Sequence, residues 1–264
     1  MPEAVDALDR EVFSARSRPS QWLEAALHLR CLTWNIHRTR GRDGRADAAR
    51  IHDCLDTLLA APVDFLALVE ADAERAPFAR LLDLPRLDRT HAVCHAHPAP
   101  DLRTGADSDG LQGVVLLAHR RHRPVSAQAL DLPGRCPRAA ILVEMAGPPR
   151  FWVIATHLSL GQPLRIVQMR AIGQALSRRP AAPAILLGDL NEWRPWGGLA
   201  LSARVVGHAL SGPVRATFPA RFPLLPLDRV LGLGGAQVLE PRVWDSPAFR
   251  AASDHLPFEA QIRL

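Results

Sequence analysis

A set of polar side chains stands at the ends of apolar runs, where each would lie at the edge of a core. All are carboxylates, amides or imidazoles: Asn35, Glu70, His157, Asp189, Asn191, Asp228 and the adjacent Asp254 and His255. One such residue is usually a turn former or a satisfied core group, but a set of this size indicates a site. Carboxylates without lysine partners suit a hard cation such as Mg²⁺, and histidine and asparagine beside them suit a phosphoryl oxygen. The pattern therefore indicates metal-assisted hydrolysis of a phosphate ester.

The elements that must position these side chains are strands alternating with helices. Apolar runs predict strands at 30–37, 63–70, 113–120, 138–147, 150–160, 183–191, 227–234, 236–244 and 258–264. Two segments have helical periodicity, 46–62 and 162–180. Their predicted inward residues are Ile51, Leu55, Leu58 and Leu59 in the first and Leu164, Val167, Ala171 and Leu176 in the second. Strands outnumber helices and are hydrophobic on both faces, which favours packed sheets covered by helices, a layered α/β sandwich.

The domain organisation is simple. Residues 1–28 have the pattern of an N-terminal helical extension, with a serine cap in "SQWLEAALHL". The stretch 97–112 reads as a flexible loop, and no linker long enough to divide two domains is visible. We therefore expect one catalytic domain over residues 29–264.

Composition limits the class of protein. No run approaches the roughly 18 apolar residues that a membrane span needs, and the charged N-terminus lacks the apolar stretch of a signal peptide. The four cysteines are scattered, without CxxC spacing: Cys31, Cys54, Cys94 and Cys136. Free thiols in a reducing compartment are the simplest interpretation, so a cytoplasmic location is expected.

The positive charge is carried by arginine. The net charge is +5, and the chain contains neither lysine nor tyrosine. This balance helps to attract a phosphate-bearing substrate, although it also reflects compositional bias. The loop after the first predicted strand carries Arg38, Arg40, Arg42 and Arg45. Two interpretations of this loop remain open, a solvated surface and a phosphate-contacting surface.

The ordered segments "TWNIH", "LALVEAD", "ATHLSL", "LLGDLNEW", "PLDRVLG" and "SDHLPFEAQI" resemble the successive motifs of the endonuclease/exonuclease/phosphatase (DNase I-like) superfamily. The resemblance extends from about residue 30 to the C-terminus, and its most specific pieces are "GDLN" and "SDHLP". It implies a four-layer α/β/β/α sandwich with the site at one edge of two facing sheets. It also implies Mg²⁺ as the cofactor, with Mn²⁺ as a substitute.

The resemblance assigns a role to each of the first five motif residues. Glu70 matches the metal-binding glutamate, and Asn35 the strand-end asparagine that supports the metal site. Asp189 matches the aspartate that positions or deprotonates the attacking water. Asn191 matches the asparagine that holds substrate or water, and His157 the histidine that contacts the scissile phosphate.

The C-terminal motifs complete the implied site. Asp254 resembles the aspartate that completes the acidic cluster. His255 resembles its histidine partner, and Asp228 resembles the aspartate that hydrogen-bonds to that histidine. Arg138 stands where many members carry an arginine leading into a strand. It is equally well explained as a substrate contact and as a surface cation at a strand end.

Departures from the family pattern bear on the substrate. Val69 stands where many members have glutamine, and His37 where some nucleases have aspartate; the chain also lacks the tyrosine of abasic-site endonucleases and the lysines of inositol polyphosphate 5-phosphatases. What remains resembles compact bacterial members, which suggests a small or lipid-linked phosphodiester and makes Arg38, Arg42 and Arg45 candidate head-group contacts. Phospholipid, sugar phosphate and nucleic acid are the candidate substrates. A peripheral membrane contact is compatible with the first, and no stable protein partner is implied.

The sequence is therefore compatible with three functions. The first is an Mg²⁺-dependent phosphodiesterase or phosphatase of small or lipid-linked substrates. The second is a DNA nuclease, and the third is a non-catalytic family member that only binds a partner. The complete acidic and histidine set argues against the third, because inactive members usually lose part of it.

Overall fold

The computed structural model describes residues 26–71, 87, 90–97, 113–134 and 138–264. Within these residues eleven strands form two sheets. The strands are β1 (His28–Asn35), β2 (Phe65–Val69), β3 (His91–His97), β4 (Val114–His119), β5 (Pro124–Leu132), β6 (Arg138–Met145), β7 (Phe151–His157), β8 (Ala184–Asp189), β9 (Asp228–Leu233), β10 (Gln237–Val243) and β11 (Phe258–Arg263). The helices are α1 (Ala48–Leu58), α2 (Gln162–Ser177), α3 (Ala203–Val206) and α4 (Pro247–Ala252), with a 3₁₀ turn at His37–Thr39.

Both sheets are mixed. The six-stranded sheet has the order β10-β11-β1-β2-β4-β3, and the five-stranded sheet the order β5-β6-β7-β8-β9. β1 and β2 are parallel and are connected through α1, while β7 and β8 are parallel and are connected through α2. Parallel neighbours end at the same sheet edge, so each pair brings the residues after its two strands together.

Three apolar cores lie between the four layers of the fold. Leu32 and Trp34 of β1 pack with Ile51 and Leu55 of α1 in an outer core. Alternate residues of the same strand, including Cys31, face the second sheet in a central core. The third core lies between the second sheet and helices α2 and α3. The predicted α/β/β/α sandwich is therefore confirmed, and burial of both faces explains why the strands read as continuous apolar runs.

Helix α1 agrees with the sequence pattern, because all four predicted inward residues are buried. Its start is fixed by Asp47, whose carboxylate accepts hydrogen bonds from the backbone N–H groups of Ala49 and Arg50. Helix α2 begins at a proline-containing first turn, as predicted, but its inward face is different. Leu164 and Val167 are exposed, and Arg165 and Gln168 are buried in their place, whereas Leu176 is buried and Ala171 packs against the same core, as predicted. These two polar side chains are buried because they hydrogen-bond to the chain around Ser159.

Other differences lie at edges and ends. The sequence pattern missed two edge strands, β3 and β5; neither contains a long apolar run, and β5 is exposed and begins with proline. β1 starts at His28, so the last residue of the predicted N-terminal helix belongs to a strand, and residues 26–27 are in neither a helix nor a strand. The rest of that predicted extension, residues 1–25, and the predicted loop from 98 to 112 lie outside the described residues. Among the described helices, none is long and apolar enough to cross a membrane.

Candidate active site

Three of the sequence-predicted residues stand side by side because of strand register. His157 at the end of β7 pairs with Asp189 at the end of β8, and Asp189 pairs with Asp228 at the start of β9. All three side chains are buried. The edge of the five-stranded sheet therefore carries one imidazole followed by two carboxylates on adjacent strands. Because all three are buried, a charge on one interacts strongly with the others.

His255 joins this edge from the other sheet. Its Nδ1 lies 2.8 Å from Asp228 Oδ2, and the same oxygen accepts a 2.6 Å hydrogen bond from the Thr217 hydroxyl. The indole N–H of Trp34 donates to the backbone carbonyl of His255 at 3.0 Å, which fixes the main chain. The ring of Phe218 covers the imidazole, with 4.7 Å between ring centroids. The imidazole is thus held in one position, with Nε2 directed away from Asp228.

The charge of His255 follows from its neighbours. Burial by itself would lower the pKa of the imidazole, but the charge of Asp228 and its hydrogen bond outweigh that effect. With the further carboxylates of Asp189 and Asp254, the pKa of His255 is raised to about 10. At neutral pH the side chain is therefore an imidazolium whose Nε2–H is available as a donor.

Asp189 is the central carboxylate. Its Oδ1 accepts the backbone N–H of Asn191 at 2.9 Å, and its Oδ2 accepts the side-chain amide of Asn35 at 3.0 Å. The Nε2 atoms of His157 and His255 lie 3.4 Å and 3.9 Å from the same Oδ2. Burial raises the pKa of Asp189 to about 6, with a further rise from Asp228 that His255 opposes. A carboxylate of this pKa can accept a proton near neutral pH.

His157 differs from His255 in charge. The guanidinium of Arg138 donates to His157 Nδ1, so that nitrogen is an acceptor and Nε2 carries the proton. Burial, followed by the charges of Arg138 and His255, lowers the pKa of His157 well below its ordinary value. The two histidines therefore have opposite protonation states at the same sheet edge. Arg138 is itself buried, so it is an internal partner of His157 and not a surface cation.

Asn191 is held in an unusual backbone conformation, with φ of 50° in the left-handed region. Its side-chain Nδ2 donates to the carbonyl of Leu158 at 2.8 Å, and its backbone N–H donates to Asp189. These bonds connect the chain after β8 to the chain after β7. Strained positions of this kind collect at functional sites, and Glu70 has the same feature with φ of 54°.

Glu70 and Asn35 lie at the neighbouring ends of β2 and β1. Asn35 pairs in register with Val69, the residue before Glu70. The Asn35 side-chain oxygen accepts the backbone N–H of His37 at 3.0 Å, and Arg38 Nε lies 3.7 Å from Glu70 Oε2. The amide of Asn35 thus connects two parts of the site, because its nitrogen donates to Asp189 in the other sheet.

Asp254 completes this oxygen-rich side. The Ser253 hydroxyl donates to the Asn35 carbonyl at 2.7 Å and lies 3.4 Å from Asp254 Oδ1. The half-exposed Asp254 carboxylate is also 3.7 Å from His37 Nδ1. Glu70, Asn35 and Asp254 therefore offer two carboxylates and one amide oxygen, the ligand type that Mg²⁺ prefers.

A second group also has metal-ligand chemistry. Ligand atoms of Asp189, Asp228 and His255 lie within 4.8 Å of one another. In this group His255 Nδ1 is already hydrogen-bonded to Asp228, whereas Glu70, Asn35 and Asp254 offer only oxygen donors. The donor chemistry favours the set of Glu70, Asn35 and Asp254.

The arginines predicted as head-group contacts, Arg38, Arg42 and Arg45, have different surroundings, and Arg45 is exposed. Arg38 is half-buried beside Glu70, on the side where a cation would lie. Arg42 is exposed and lies in a neighbouring groove with Asp43, Arg50, Pro247, Arg250 and Ala251. None of the predicted catalytic residues lines that groove. The structure thus brings Arg38, but not Arg42, to the other predicted residues.

Sequence reasoning missed a supporting network. Glu192 is fully buried and accepts two side-chain hydrogen bonds from Arg194, at 2.7 and 2.8 Å, with Arg165 Nη2 at 3.5 Å. Arg229, the neighbour of Asp228, donates to the Glu192 carbonyl at 2.8 Å. The available signal was the placement of Glu192 and Arg229 directly beside motif residues. Thr217 gave no such signal, because it is 11 residues from Asp228.

Comparisons with known proteins agree with this fold. The chain is 29% identical over 173 residues to the uncharacterized protein YbhP of Escherichia coli K12, covering 61% of this chain and 67% of that protein. An endonuclease/exonuclease/phosphatase structure from Beutenbergia cavernae has a TM-score of 0.67 and 23% identity, covering 90% of this chain and 72% of that one. One from Bacteroides vulgatus has a TM-score of 0.70 and 16% identity, with 90% and 99% coverage.

The sequence also matches a protein family as a whole. The model of the Endonuclease/Exonuclease/phosphatase family matches residues 32–255, a span that begins in β1 and ends at His255. That span includes every residue described above as part of the candidate site. The chain therefore belongs to the Endonuclease/Exonuclease/phosphatase family.

Proposed function

We propose that the protein is an Mg²⁺-dependent phosphodiesterase that hydrolyses a small or lipid-linked phosphodiester. Members of its family are typically hydrolases of phosphate esters. The observation that carries the proposal is the position of one Asp189 oxygen, 3.9 Å from a histidine whose pKa is raised to about 10 by Asp228. A proton acceptor and a fixed cationic donor thus lie together, as hydrolysis of an anionic ester requires.

Asp189 is the proposed general base. A water molecule beside its Oδ2 would lose a proton to that oxygen as the water oxygen attacks phosphorus. The pKa of about 6 leaves the carboxylate ionised at neutral pH and still basic enough to take the proton. The hydrogen bonds from Asn35 and Asn191 keep the carboxylate in position during the transfer.

The other polar groups stabilise the charge that develops on phosphorus oxygens. The imidazolium of His255 donates through Nε2 and adds a positive charge that Asp228 maintains. His157 donates as a neutral imidazole through Nε2, since Arg138 occupies its other nitrogen. These donors are fixed before substrate binds, which is the condition under which electrostatic stabilisation is most effective.

Glu70, Asn35 and Asp254 would hold the metal ion. An Mg²⁺ ion held there would supply Lewis-acid stabilisation of the negative charge that develops on the ester. Arg38, 3.7 Å from Glu70, places further positive charge on the same side. Mn²⁺ has the same preference for oxygen ligands and is expected to substitute.

The substrate class is proposed from what surrounds the site. The departures at Val69 and His37 and the absence of lysine and tyrosine favour a small or lipid-linked phosphodiester over DNA. DNA nuclease activity stays the alternative, and a purely binding role is disfavoured by the complete set of ionisable groups. The free thiols of Cys31 and Cys54 suit a reducing cytoplasm.

The experiment that separates these functions is a paired assay with Mg²⁺. Release of head group from phospholipid vesicles is compared with nicking of supercoiled plasmid at the same enzyme concentration. The proposal predicts head-group release that EDTA abolishes and no comparable nicking. Efficient nicking without head-group release would establish the nuclease instead, and inactivity of the metal-loaded protein in both assays and towards sugar phosphodiesters would leave the binding role.

A further inference from the structure

Exposed apolar side chains are concentrated on one part of the surface. Leu160, Trp196 and Leu224 are 79%, 76% and 75% exposed, which is unusual for side chains of this size. We call the following six residues the apolar rim: Leu160, Trp193, Trp196, Leu199, Phe222 and Leu224. Leu164 and Val167, on the exposed face of α2, continue it. Of the large apolar side chains exposed in the described residues, only Val125 and Leu239 lie on other elements.

The rim lies on the chain segments that leave or enter the catalytic edge. Leu160 follows β7, which ends at His157, and the tryptophans follow β8, which ends at Asp189. Phe222 and Leu224 precede Asp228, the first residue of β9. Because these three strand ends are register partners, the three segments start from neighbouring points of one sheet edge.

Two buried arginines connect the three segments by hydrogen bonds. Arg165 donates to the carbonyls of Ser159 and Leu160 and lies 3.5 Å from the Glu192 carboxylate. Arg229 donates to the Glu192 carbonyl at 2.8 Å and to the Pro226 carbonyl at 3.1 Å. Arg165 therefore connects the segment after β7 to the segment after β8, and Arg229 connects the segment after β8 to the segment before β9. The rim is therefore built on a rigid base, although its side chains are exposed.

The same segments carry only positive charge at their surface. Residues 158–188 and 193–227 contain no aspartate or glutamate. Two arginines lie directly against rim side chains, Arg194 over the ring of Trp193 and Arg221 over the ring of Phe222. The acidic residue between the two stretches at the rim, Glu192, is fully buried and paired with Arg194. An apolar surface with this charge is complementary to an anionic one.

We infer that the apolar rim rests on an anionic phospholipid bilayer and presents a lipid head group to the catalytic edge. Tryptophan and phenylalanine are suited to the boundary between head groups and acyl chains, and arginine to the anionic head groups. Nucleic acid is a poorer match, because the most exposed rim residues include Leu160 and Leu224. Leucine has no aromatic face on which a base could stack. The choice of lipid as substrate rests on the proposed function, whereas bilayer binding does not.

The test is co-sedimentation of the full chain with vesicles of phosphatidylcholine containing phosphatidylglycerol. The rim variant carries Leu160→Ser, Trp196→Ser and Leu224→Ser; the matched control carries Val125→Ser and Leu239→Ser, which are also exposed. The rim variant is expected to bind at least about tenfold more weakly, and the control as well as the unaltered protein. Binding should also weaken when salt is added and when phosphatidylglycerol is left out. Equal melting temperatures would show that the variants are folded.

Two results would overturn the inference. One is equal binding by the unaltered protein and the rim variant, including no binding by either. The other is loss of single-stranded oligonucleotide binding in the rim variant with vesicle binding unchanged, which would assign the rim to nucleic acid. Asp189→Asn distinguishes this inference from the proposed function, because it should bind vesicles normally and release no head group. If it bound normally and the unaltered protein also released no head group, the rim would stand and the proposed lipid substrate would fail.

Discussion

His255 Nδ1 lies 2.8 Å from Asp228 Oδ2, although 27 residues separate them in the chain, and Asp228 begins β9 whereas His255 precedes β11 of the other sheet. This contact links the first residue of β9 to the segment before β11 at the proposed catalytic edge, and it keeps a buried imidazole charged. Thr217 donates to the same carboxylate oxygen and directs it at the ring. The proposed chemistry depends on this contact because an uncharged His255 would add no positive charge beside the phosphate.

The first prediction concerns the basic limb of the pH–rate profile. His255 has a pKa raised to about 10, so its charged form is present below that pH and is lost as pH rises through it. Asp228→Asn removes the main raising cause and should move the limb towards lower pH. It should also reduce kcat by about 100-fold at pH 8. Profiles measured with a soluble phosphodiester check this.

Thr217→Val is the matched comparison for Asp228→Asn. It removes one neutral hydrogen bond to Asp228 but leaves the carboxylate, so its shift should be smaller and in the same direction. A basic limb at the same pH in the unaltered protein and Asp228→Asn would contradict the assigned role of the pair.

The second prediction concerns Asp189 and has opposite effects on activity and stability. The base form is lost as pH falls through about 6, so activity should fall below that pH. Asp189→Asn should lower kcat by about 1000-fold. The raised pKa means that the folded state resists ionisation of this group. Its ionisation therefore costs stability as pH rises above the unfolded value, and Asp189→Asn should melt no lower than the unaltered protein at pH 8. A large fall in melting temperature would show that Asp189 is chiefly structural.

The third prediction concerns metal binding. Mg²⁺ should raise the melting temperature of the unaltered protein, because an ion that binds only the folded state stabilises it. Glu70→Gln should remove most of this rise. It should also raise the Mg²⁺ concentration needed for half-maximal activity by about tenfold or more. Asp43→Asn is the control, because Asp43 is an exposed partner of Arg50 outside the proposed metal site. An unchanged response in Glu70→Gln would exclude Glu70 as a ligand.

The fourth prediction concerns the buried support. Glu192→Ala would leave Arg165 buried without its carboxylate, and should lower the free energy of unfolding by about 3 kcal/mol. Arg194→Ala should cost less, since that side chain is partly exposed and its loss leaves Glu192 paired with Arg165. Chemical denaturation of both variants provides the comparison. Equal losses would show that the network does not depend on the buried arginine.

Strand positions and the order of motif residues could be predicted because burial on both faces leaves long apolar runs in the sequence. The edge strands β3 and β5 leave no such run and were missed. The inward face of α2 was wrong at Leu164 and Val167. Arg165 is buried there because it donates to the Ser159 carbonyl, and Gln168 because it accepts from the Ser159 backbone N–H; these bonds outweigh the preference for burying apolar side chains. Periodicity contains no information about such bonds.

The candidate site was also predicted only in part. The predicted residues are brought to one edge, except that Arg42 lies in a neighbouring groove. The protonation states of His157 and His255 could not be read from the sequence. They depend on which charge, Arg138 or Asp228, lies against each buried ring. Residue order gives the members of the site, but their charges follow from three-dimensional contacts.

The most direct test of the central claim is hydrolysis of bis-p-nitrophenyl phosphate with Mg²⁺ by the unaltered protein, Asp189→Ala and His255→Ala. The substrate is soluble and needs no membrane contact, so only the chemistry of the site is measured. We predict EDTA-sensitive hydrolysis by the unaltered protein and a loss of about 100-fold or more in each variant, with folding retained. Hydrolysis that remained intact in both variants would contradict the assignment of this edge as the active site.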